Sequence, residues 1–251
     1  MTDGSSRFTS DRRTRMGASW TEQADWEAGT TENVGLLADR LVGRPPSEGS
    51  GTQTRVVDDF DEVLYEGEGK ALSDYYSNDV SQFTRRSGGV HEGGYVLEGS
   101  HNGGQSNFWM VSYEGDGLDY PQEGDTFSYW NWVDKASIGG NAGNIFWGYD
   151  ENDGTRFNLR LNRGNSDFYV YAPDGTVIID RVSYSYPASA WEEWEIQWLP
   201  NEIVVTVYDR DGNEQTSVSG SHNSSRTSGG VGYYVGANRP IVVRIDNVGI
   251  K

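Results

Sequence analysis

Three short turn sequences stand out in the second half of the chain. They are Asn152-Asp153-Gly154, Pro173-Asp174-Gly175 and Arg210-Asp211-Gly212. Each supplies a residue that adopts a positive φ angle at little cost, which a tight β-hairpin requires. The segments on either side are short runs in which apolar and polar side chains alternate, as they do along a half-buried strand. The sequence therefore predicts antiparallel hairpins.

The same alternation extends from Thr52 to the end of the sequence, with almost no helical periodicity. Many short strands separated by turn residues are typical of two antiparallel sheets packed face to face, so we expect an all-β, two-sheet sandwich. The candidate strands are Arg55–Phe60, Gln82–Arg86, Gly94–Glu98, Asn107–Tyr113, Thr126–Val133, Asn144–Tyr149, Thr155–Asn162, Asp167–Ala172, Thr176–Val182, Trp191–Trp198, Glu202–Tyr208, Glu214–Val218, Gly230–Val235 and Ile241–Val248.

The first fifty residues differ from the rest. RPPSEGSG (44–51) has the composition of a linker and divides an arm, residues 1–50, from the predicted sandwich, residues 51–251. The arm has a small basic cluster and two large aromatic residues but too little apolar sequence for a core of its own. We expect it to dock on the sandwich or on a neighbouring subunit, so the chain should form a homo-oligomer. Its candidate assembly residues are Arg7, Arg12, Arg13, Arg15, Trp20 and Trp26.

Composition excludes several classes of function. The 251 residues include no Cys, so neither a disulfide nor a thiolate metal site can form. The formal net charge of −18 argues against nucleic acid as a partner. No apolar stretch reaches the roughly 18 residues that a membrane-spanning helix needs, so we expect no membrane insertion.

The basic residues point to a salt-loving source. Only 3 residues are Lys (Lys70, Lys135 and Lys251), whereas 17 of the 20 basic residues are Arg. At molar salt the Debye length falls to roughly 3 Å, so a dense acidic surface costs little and stays hydrated. A Lys-poor, acidic protein of this kind resembles haloarchaeal proteins. The N-terminal sequence also lacks an apolar signal segment, so we expect no export by a cleaved signal peptide.

Alternation also separates the two faces of each strand. Core positions are Phe157, Leu159 and Leu161 in one strand and Trp194, Ile196 and Trp198 in another. The opposite positions carry planar amides, carboxylates, arginines and aromatic rings, which suit hydrogen bonding to sugar hydroxyls and stacking on sugar C–H faces. The candidate glycan-binding residues are Trp130, Trp132, Asn158, Arg160, Tyr169, Tyr171, Glu193, Glu195 and Gln197. The alternative is that these are solvated strand faces or a subunit contact.

The C-terminal half, WEEWEIQWLPNEIVVTVYDRDGNEQTSVSG (191–220) followed by GGVGYYVGANRPIVVRIDNVGI (229–250), resembles the concanavalin A-like lectin/glucanase (laminin-G-like) domains. The segments VVDDFDE (56–62), LSDYYSNDVSQFTRRSG (72–88) and HEGGYVLEGS (91–100) resemble the opening of those domains. The resemblance covers roughly residues 55–250 and implies a concanavalin A-like jelly roll. Because that fold carries lectins, hydrolases and passive modules alike, it does not fix a function.

Laminarinase-type hydrolases of this fold carry acids on one strand face, and the corresponding face here is Glu193, Glu195 and Gln197. Gln197 occupies the position of the acid/base, and an amide cannot deliver a proton to a leaving oxygen. We therefore predict that the protein is not an enzyme and assign no catalytic residue.

Acidic residues near the two ends of the predicted sandwich allow a structural calcium site. Asp58 and Asp59 would meet Asp246 if the first and last strands pair, as the resemblance implies, and carboxylate oxygens suit Ca²⁺. The alternative is that these acids are solvated. The loop DENDGT (150–155) also resembles a calcium loop but lacks the EF-hand spacing. We expect no other cofactor.

Three roles follow. The first is a surface protein of a haloarchaeal tailed virus (a turret, fibre, spike or capsid module) that is made in the host cytoplasm, contacts other virion proteins and can bind a host surface glycan or glycoprotein. The second is a non-catalytic carbohydrate-binding module of a secreted or surface protein of the cell, and thus extracellular. The third is a laminarinase-type glycoside hydrolase.

If the arm mediates assembly, deleting residues 1–50 should convert the oligomer to a monomer whose sandwich remains folded. Light scattering would give the mass and circular dichroism the fold, with the full-length chain as control. A truncated protein that keeps the full-length oligomeric state would show that the arm plays no part.

Overall fold

The computed structural model describes residues 55–61, 65, 69–89, 91, 93–112, 118–135 and 139–251. They all lie in the second of the chain's two units, Ser47–Lys251. The arm residues named above lie outside the described residues, so the assembly prediction stays a prediction. Within the described residues, no helix is long and apolar enough to cross a membrane.

The described residues form two antiparallel sheets, which confirms the predicted sandwich. Besides the strands there are two single-turn 3₁₀ segments, Leu72–Asp74 and Val80–Gln82. The strands are β1 (Arg55–Asp58), β2 (Tyr76–Asn78), β3 (Phe83–Ser87), β4 (Tyr95–Asn102), β5 (Phe108–Ser112), β6 (Thr126–Val133), β7 (Ala142–Tyr149), β8 (Phe157–Asn162), β9 (Asp167–Tyr171), β10 (Val177–Ser183), β11 (Trp191–Leu199), β12 (Glu202–Asp209), β13 (Glu214–Ser221), β14 (Gly230–Val235) and β15 (Pro240–Ile250).

Sheet A has the strand order β13-β12-β11-β6-β15-β4-β3, and β1 also pairs with β15. Sheet B has the order β10-β9-β8-β7-β14-β5-β2. Every predicted strand is present, and the three predicted turns join the hairpins β7–β8, β9–β10 and β12–β13. The three-residue strand β2 was not predicted, because YSN has no alternation that would distinguish it from a loop.

Aromatic side chains fill the space between the sheets. Phe127 of sheet A packs edge-to-face on Trp147 of sheet B, with ring centroids 5.5 Å apart. Trp147 stacks on Phe157, and Phe157 meets Trp198 of sheet A at 5.2 Å. The predicted core positions of β8 and β11 are all fully buried. Strand β6, whose two faces are both aromatic, turns Phe127 and Tyr129 inward, so Trp130 and Trp132 lie on the outer face.

One inward position of β11 carries a charge. Glu192 is 2% exposed and lies 3.7 Å from the guanidinium of Arg163, which is itself 1% exposed. Tyr184 donates a hydrogen bond to Glu192, and the Arg163 guanidinium lies 4.4 Å from the ring centre of Tyr186. Burial raises the pKa of Glu192 to about 7, although Tyr184 and Arg163 oppose the shift. This polar cluster lies among the buried aromatic side chains of the interior.

A second buried carboxylate lies where the first and last strands meet. Strand β1 pairs with β15, with Asp58 opposite Val248, as expected if the ends of the sandwich pair. Asp58 is fully buried and accepts hydrogen bonds from the Phe60 amide and from the hydroxyls of Tyr65 and Tyr76. Burial is the largest influence and raises its pKa to about 7 in spite of these bonds.

Because the pKa of Asp58 is higher in the folded than in the unfolded chain, the folded protein holds a proton there that the unfolded chain has lost. The free energy of unfolding should therefore fall as the pH rises from about 4 to 7, by at most about 1.4 kcal/mol per pH unit from this group. Asp58→Asn should reduce that slope, while Asp211→Asn in an exposed turn should not. Urea unfolding at pH 5 and pH 8 gives the change in the free energy of unfolding with pH for the parent and for each variant. An equal change in all three proteins would contradict the raised pKa of Asp58.

Candidate functional site

The nine predicted glycan-binding residues do not form one surface. Five of them are on the outer face of sheet A, and four are on the outer face of sheet B, on the opposite side of the sandwich. The sheet A group is Trp130, Trp132, Glu193, Glu195 and Gln197, and the sheet B group is Asn158, Arg160, Tyr169 and Tyr171. Sequence alternation identifies the outward positions, but it does not say which sheet a strand joins.

On sheet A, the outward acids of β11 are bound to one cation. The Nζ atom of Lys251 lies 2.8 Å from Oε1 of Glu193 and 2.6 Å from Oε2 of Glu195. Burial alone would lower the pKa of Lys251, but the charges of the two glutamates outweigh burial and raise that pKa above its ordinary value. The ammonium therefore stays charged at neutral pH, and the two carboxylates serve as its partners.

The aromatic part of the sheet A face is covered from within the chain. His91 stacks on Trp130, with ring centroids 3.5 Å apart, and meets Trp191 edge-on. The guanidinium of Arg244 lies 4.3 Å from the ring centre of Trp132 and donates a hydrogen bond from Nε to Glu98 at 2.9 Å. Trp130 therefore has a parallel ring on one face, and the cation over Trp132 is itself bonded to an acid.

The outer face of sheet B is different. A row of paired residues crosses four strands, from Tyr171 to Asn158, then to Phe146 and Gly232. Arg160 pairs with Tyr169 in the next row. The four predicted residues therefore form a continuous patch on β8 and β9. Strand β7 lies next to β8, and β14 lies next to β7.

An aromatic cluster that the sequence did not indicate extends this patch. Trp109 of β5 lies 5.8 Å from Phe146 and 6.2 Å from Tyr149, measured between ring centroids. Gly232 makes room for the cluster, because a Cβ atom there would lie 2.2 Å from the Phe146 ring. Tyr234 of β14 pairs directly with Trp109 and belongs to the same face. Alternation in FWMVS does place Trp109 on the outer face, since its neighbour Phe108 points into the core. The pairing of β5 with β14, however, joins residues more than a hundred positions apart, and no local pattern in the sequence indicates it.

Two arginines lie on this face beside the rings. Arg156 has its guanidinium 4.7 Å from the ring centre of Phe146 and 5.1 Å from that of Trp109, and its Nη1 donates to the Gly154 carbonyl at 3.0 Å. Burial lowers its pKa. The guanidinium of Arg160 lies 4.8 Å from the ring centre of Tyr171.

Arg156 and Arg160, together with Asn158 and Tyr171, line an open groove at one end of the face, with a volume of about 360 Å³. Its walls are the β7–β8 and β9–β10 turns. Its lining is Gly154, Thr155, Arg156, Asn158, Arg160, Tyr171, Ala172, Pro173 and Gly175. Two buried polar atoms at the groove, Nε of Arg156 and Oδ1 of Asn158, have no hydrogen-bond partner among the described residues. A groove of this size with a flat ring and a few planar polar groups has the character of a small-ligand site.

A second hollow of about 630 Å³ adjoins the β7–β8 turn and is lined by polar residues, including Tyr149, Asp150 and Arg226. Here the loop that resembles a calcium loop already contains a cation. Nη1 of Arg226 lies 2.7 Å from Asp150, and Nη2 lies 3.6 Å from Asp153 and 2.7 Å from the Thr155 hydroxyl. Hydrogen bonds from Asn152, then from Arg226, lower the pKa of Asp150. The guanidinium is thus the cation with which the acidic side chains of this loop are paired.

The predicted calcium ligands have protein partners too. Asp59 accepts a hydrogen bond from the Asp61 amide, and Asp246 accepts one from the His91 amide and one from the Asn247 amide. Together with the three donors to Asp58 described above, these bonds give the carboxylates a role in shaping the β1–β15 junction. Among the residues that the structure describes, no group of three or more His, Asp or Glu side chains is arranged to hold a metal.

No model of a known protein family matches the sequence. No curated protein matches it either. Solved structures do match the fold.

Three of these structures are similar over most of this chain. A cellulose-induced protein has a TM-score of 0.50 and 13% identity, covering 77% of this chain and 95% of that one. An endo-β-galactosidase from Clostridium perfringens that releases GlcNAcα1-4Gal has a TM-score of 0.51 and 11% identity, covering 82% and 64%. A protein described among endo-acting O-glycanases of the human gut microbiota has a TM-score of 0.51 and 12% identity, covering 79% and 98%. At these identities the likeness shows a shared lectin-like β-sandwich fold.

Proposed function

We propose that the sandwich is a non-catalytic, lectin-like module that binds glycans in the groove on the outer face of sheet B. The observation that carries this proposal is the patch of Arg156, Asn158, Arg160 and Tyr171, which combines an accessible ring with planar polar groups in a groove of about 360 Å³. A ring stacks on the C–H face of a sugar, while amide and guanidinium groups bond to pairs of hydroxyls. The structurally similar proteins named above act on glycans or respond to them according to their names, but the fold alone does not assign a function.

The alternative of a laminarinase-type hydrolase would use the outer face of sheet A. There the ammonium of Lys251 is bonded to both Glu193 and Glu195, and Gln197 offers an amide where a proton donor is needed. This arrangement supports binding rather than cleavage as the role of the protein.

The biological setting is a separate proposal. We propose that the module is displayed on the surface of a haloarchaeal tailed virus. The alternative is that it belongs to a secreted or surface protein of the cell. The net charge of −18 and the presence of 3 Lys against 17 Arg support a salt-loving source. The basic, Trp-containing arm supports an assembly partner, which a virion would provide.

Genes next to the one encoding this chain would distinguish the two settings. Portal and tail genes beside it are the expected result for a virion protein. Neighbours that encode secretion or sugar-uptake proteins would instead place the module on a cell.

Two single substitutions on opposite faces test the glycan site. Tyr171→Ala should weaken glycan binding by about tenfold, since loss of an aromatic contact costs about 1–2 kcal/mol. Trp132→Ala, on the outer face of sheet A, should leave binding unchanged. The measurement is a glycan array in high salt followed by titration calorimetry on the glycans that bind.

The melting temperatures of both variants should stay close to that of the parent, because both side chains lie on outer faces. Loss of binding in Trp132→Ala alone would move the site to sheet A. If the parent binds no glycan on the array, the proposed function is wrong.

A further inference from the structure

The two arginines in the groove on sheet B have no acidic partner. Among the described residues, the ion pairs engage Arg55, Arg86, Arg163, Arg181, Arg226, Arg244 and Lys251, and neither Arg156 nor Arg160. In a chain with 38 acidic and 20 basic residues, an arginine has many carboxylates available. Six of the eleven described arginines form an ion pair with one.

Their placement also brings like charges together. Arg156 lies directly before β8 and Arg160 lies within it, four residues further along, so their Cα atoms are separated by at most roughly 13 Å. Each charge disfavours the other, and Arg160 contributes to lowering the pKa of Arg156. Burial of the Arg156 guanidinium between rings adds a further cost of desolvation.

The nearby carboxylates are bound elsewhere. Asp150 and Asp153 at the β7–β8 turn are paired with Arg226. Asp174 at the β9–β10 turn accepts the amide of Thr176 within its own turn. Asp167, at the far end of β9, pairs with Arg181. None of these carboxylates forms an ion pair with Arg156 or Arg160, so both guanidinium groups keep their charge-assisted donors for a ligand in the groove.

We propose that this groove selects acidic glycans, whose carboxylate or sulfate groups bind Arg156 and Arg160. The proposal rests on the glycan-binding function proposed above and adds the class of sugar. A guanidinium forms two parallel hydrogen bonds to a carboxylate or sulfate, and such charge-assisted bonds are about twice as strong as neutral ones. Arg156, Arg160 and Tyr171 all line the groove, and the Arg160 guanidinium lies 4.8 Å from the Tyr171 ring centre, so a charged donor and a ring lie side by side there.

The negative charge of the whole protein does not oppose this selection in salt. At ionic strengths near 1 M the Debye length is roughly 3 Å, so distant acids are screened, whereas the two groups of a hydrogen-bonded contact pair lie within that distance of each other. Selection then depends on the groups within the groove.

The experiment compares acidic polysaccharides with neutral forms of the same polymer. In the methyl ester of polygalacturonate the charged carboxylate is replaced by a neutral ester on the same backbone, and dextran is dextran sulfate without its sulfate groups. Alginate adds a second polyuronate of different stereochemistry. Binding of the full chain is measured by affinity electrophoresis and calorimetry at the lowest salt concentration at which the protein stays folded.

We expect at least one acidic polymer to bind more than tenfold more tightly than its neutral form, and the carboxylate and sulfate arms identify the source of the anion. Arg160→Gln should reduce acidic binding by about tenfold, the effect of one charge-assisted contact. Arg86→Gln, which removes a similar charge from the opposite sheet, should change nothing. Circular dichroism confirms that each variant is folded.

Three results separate the two proposals. Equal binding of acidic and neutral polymers, both lost in Tyr171→Ala, would overturn the acidic selectivity and keep the glycan function. A preference for acidic polymers that survives in both Arg160→Gln and Arg156→Gln would also overturn the inference, since the anion would then bind elsewhere. No binding to any polymer or to the array would overturn both.

Discussion

The packing of aromatic rings between the two sheets is the interaction on which the rest of the structure depends. Phe127, Trp147, Phe157 and Trp198 form a chain of contacts that begins and ends in sheet A and passes through two neighbouring rings of sheet B, with centroid distances of 5.2 to 5.5 Å. Burying large apolar surface is the main favourable term in folding, and each ring buries about 150–250 Å². Because these rings fix which side of every strand points inward, they also fix which side chains are free to form a surface site.

This dependence explains how much the sequence could predict. Alternation and turn residues are local, so the strands, the hairpins and the inward position of residues such as Trp194 were predicted correctly. Strand order depends on contacts between residues far apart in the sequence, such as β5 with β14, and no local pattern reports it. The predicted sugar-binding residues were therefore assigned to outer faces but not divided between sheets, and the contribution of Trp109 was missed. The inward position of Glu192 was not expected in an apolar core. Its partner Arg163 follows β8 and is far from β11 in the sequence, so no local pattern indicates the pair.

The distribution of charge separates internal ion pairs from the surface at which we propose binding. Lys251 binds two glutamates on sheet A, Arg226 binds two aspartates in the β7–β8 loop, and Arg163 is buried beside Glu192. Each of these cations satisfies acids that would otherwise repel one another or lack a partner in the interior. Arg156 and Arg160 have rings beside them but no acid, so their charge is directed to the groove.

A partner of an acidic protein in concentrated salt has to be recognised at short range. Long-range attraction is screened within a few ångströms, so steering by the overall field contributes little. Contact terms remain: stacking on a ring, hydrogen bonds to a side-chain amide and bidentate bonds to a guanidinium all act within van der Waals or hydrogen-bond distance. The groove on sheet B brings Tyr171, Asn158 and two guanidinium groups together, whereas on sheet A Arg244 is bonded to Glu98 and Lys251 to Glu193 and Glu195. What distinguishes the two outer faces is therefore whether their cations have acidic partners within the fold, and the proposed site lies on the face where Arg156 and Arg160 have none.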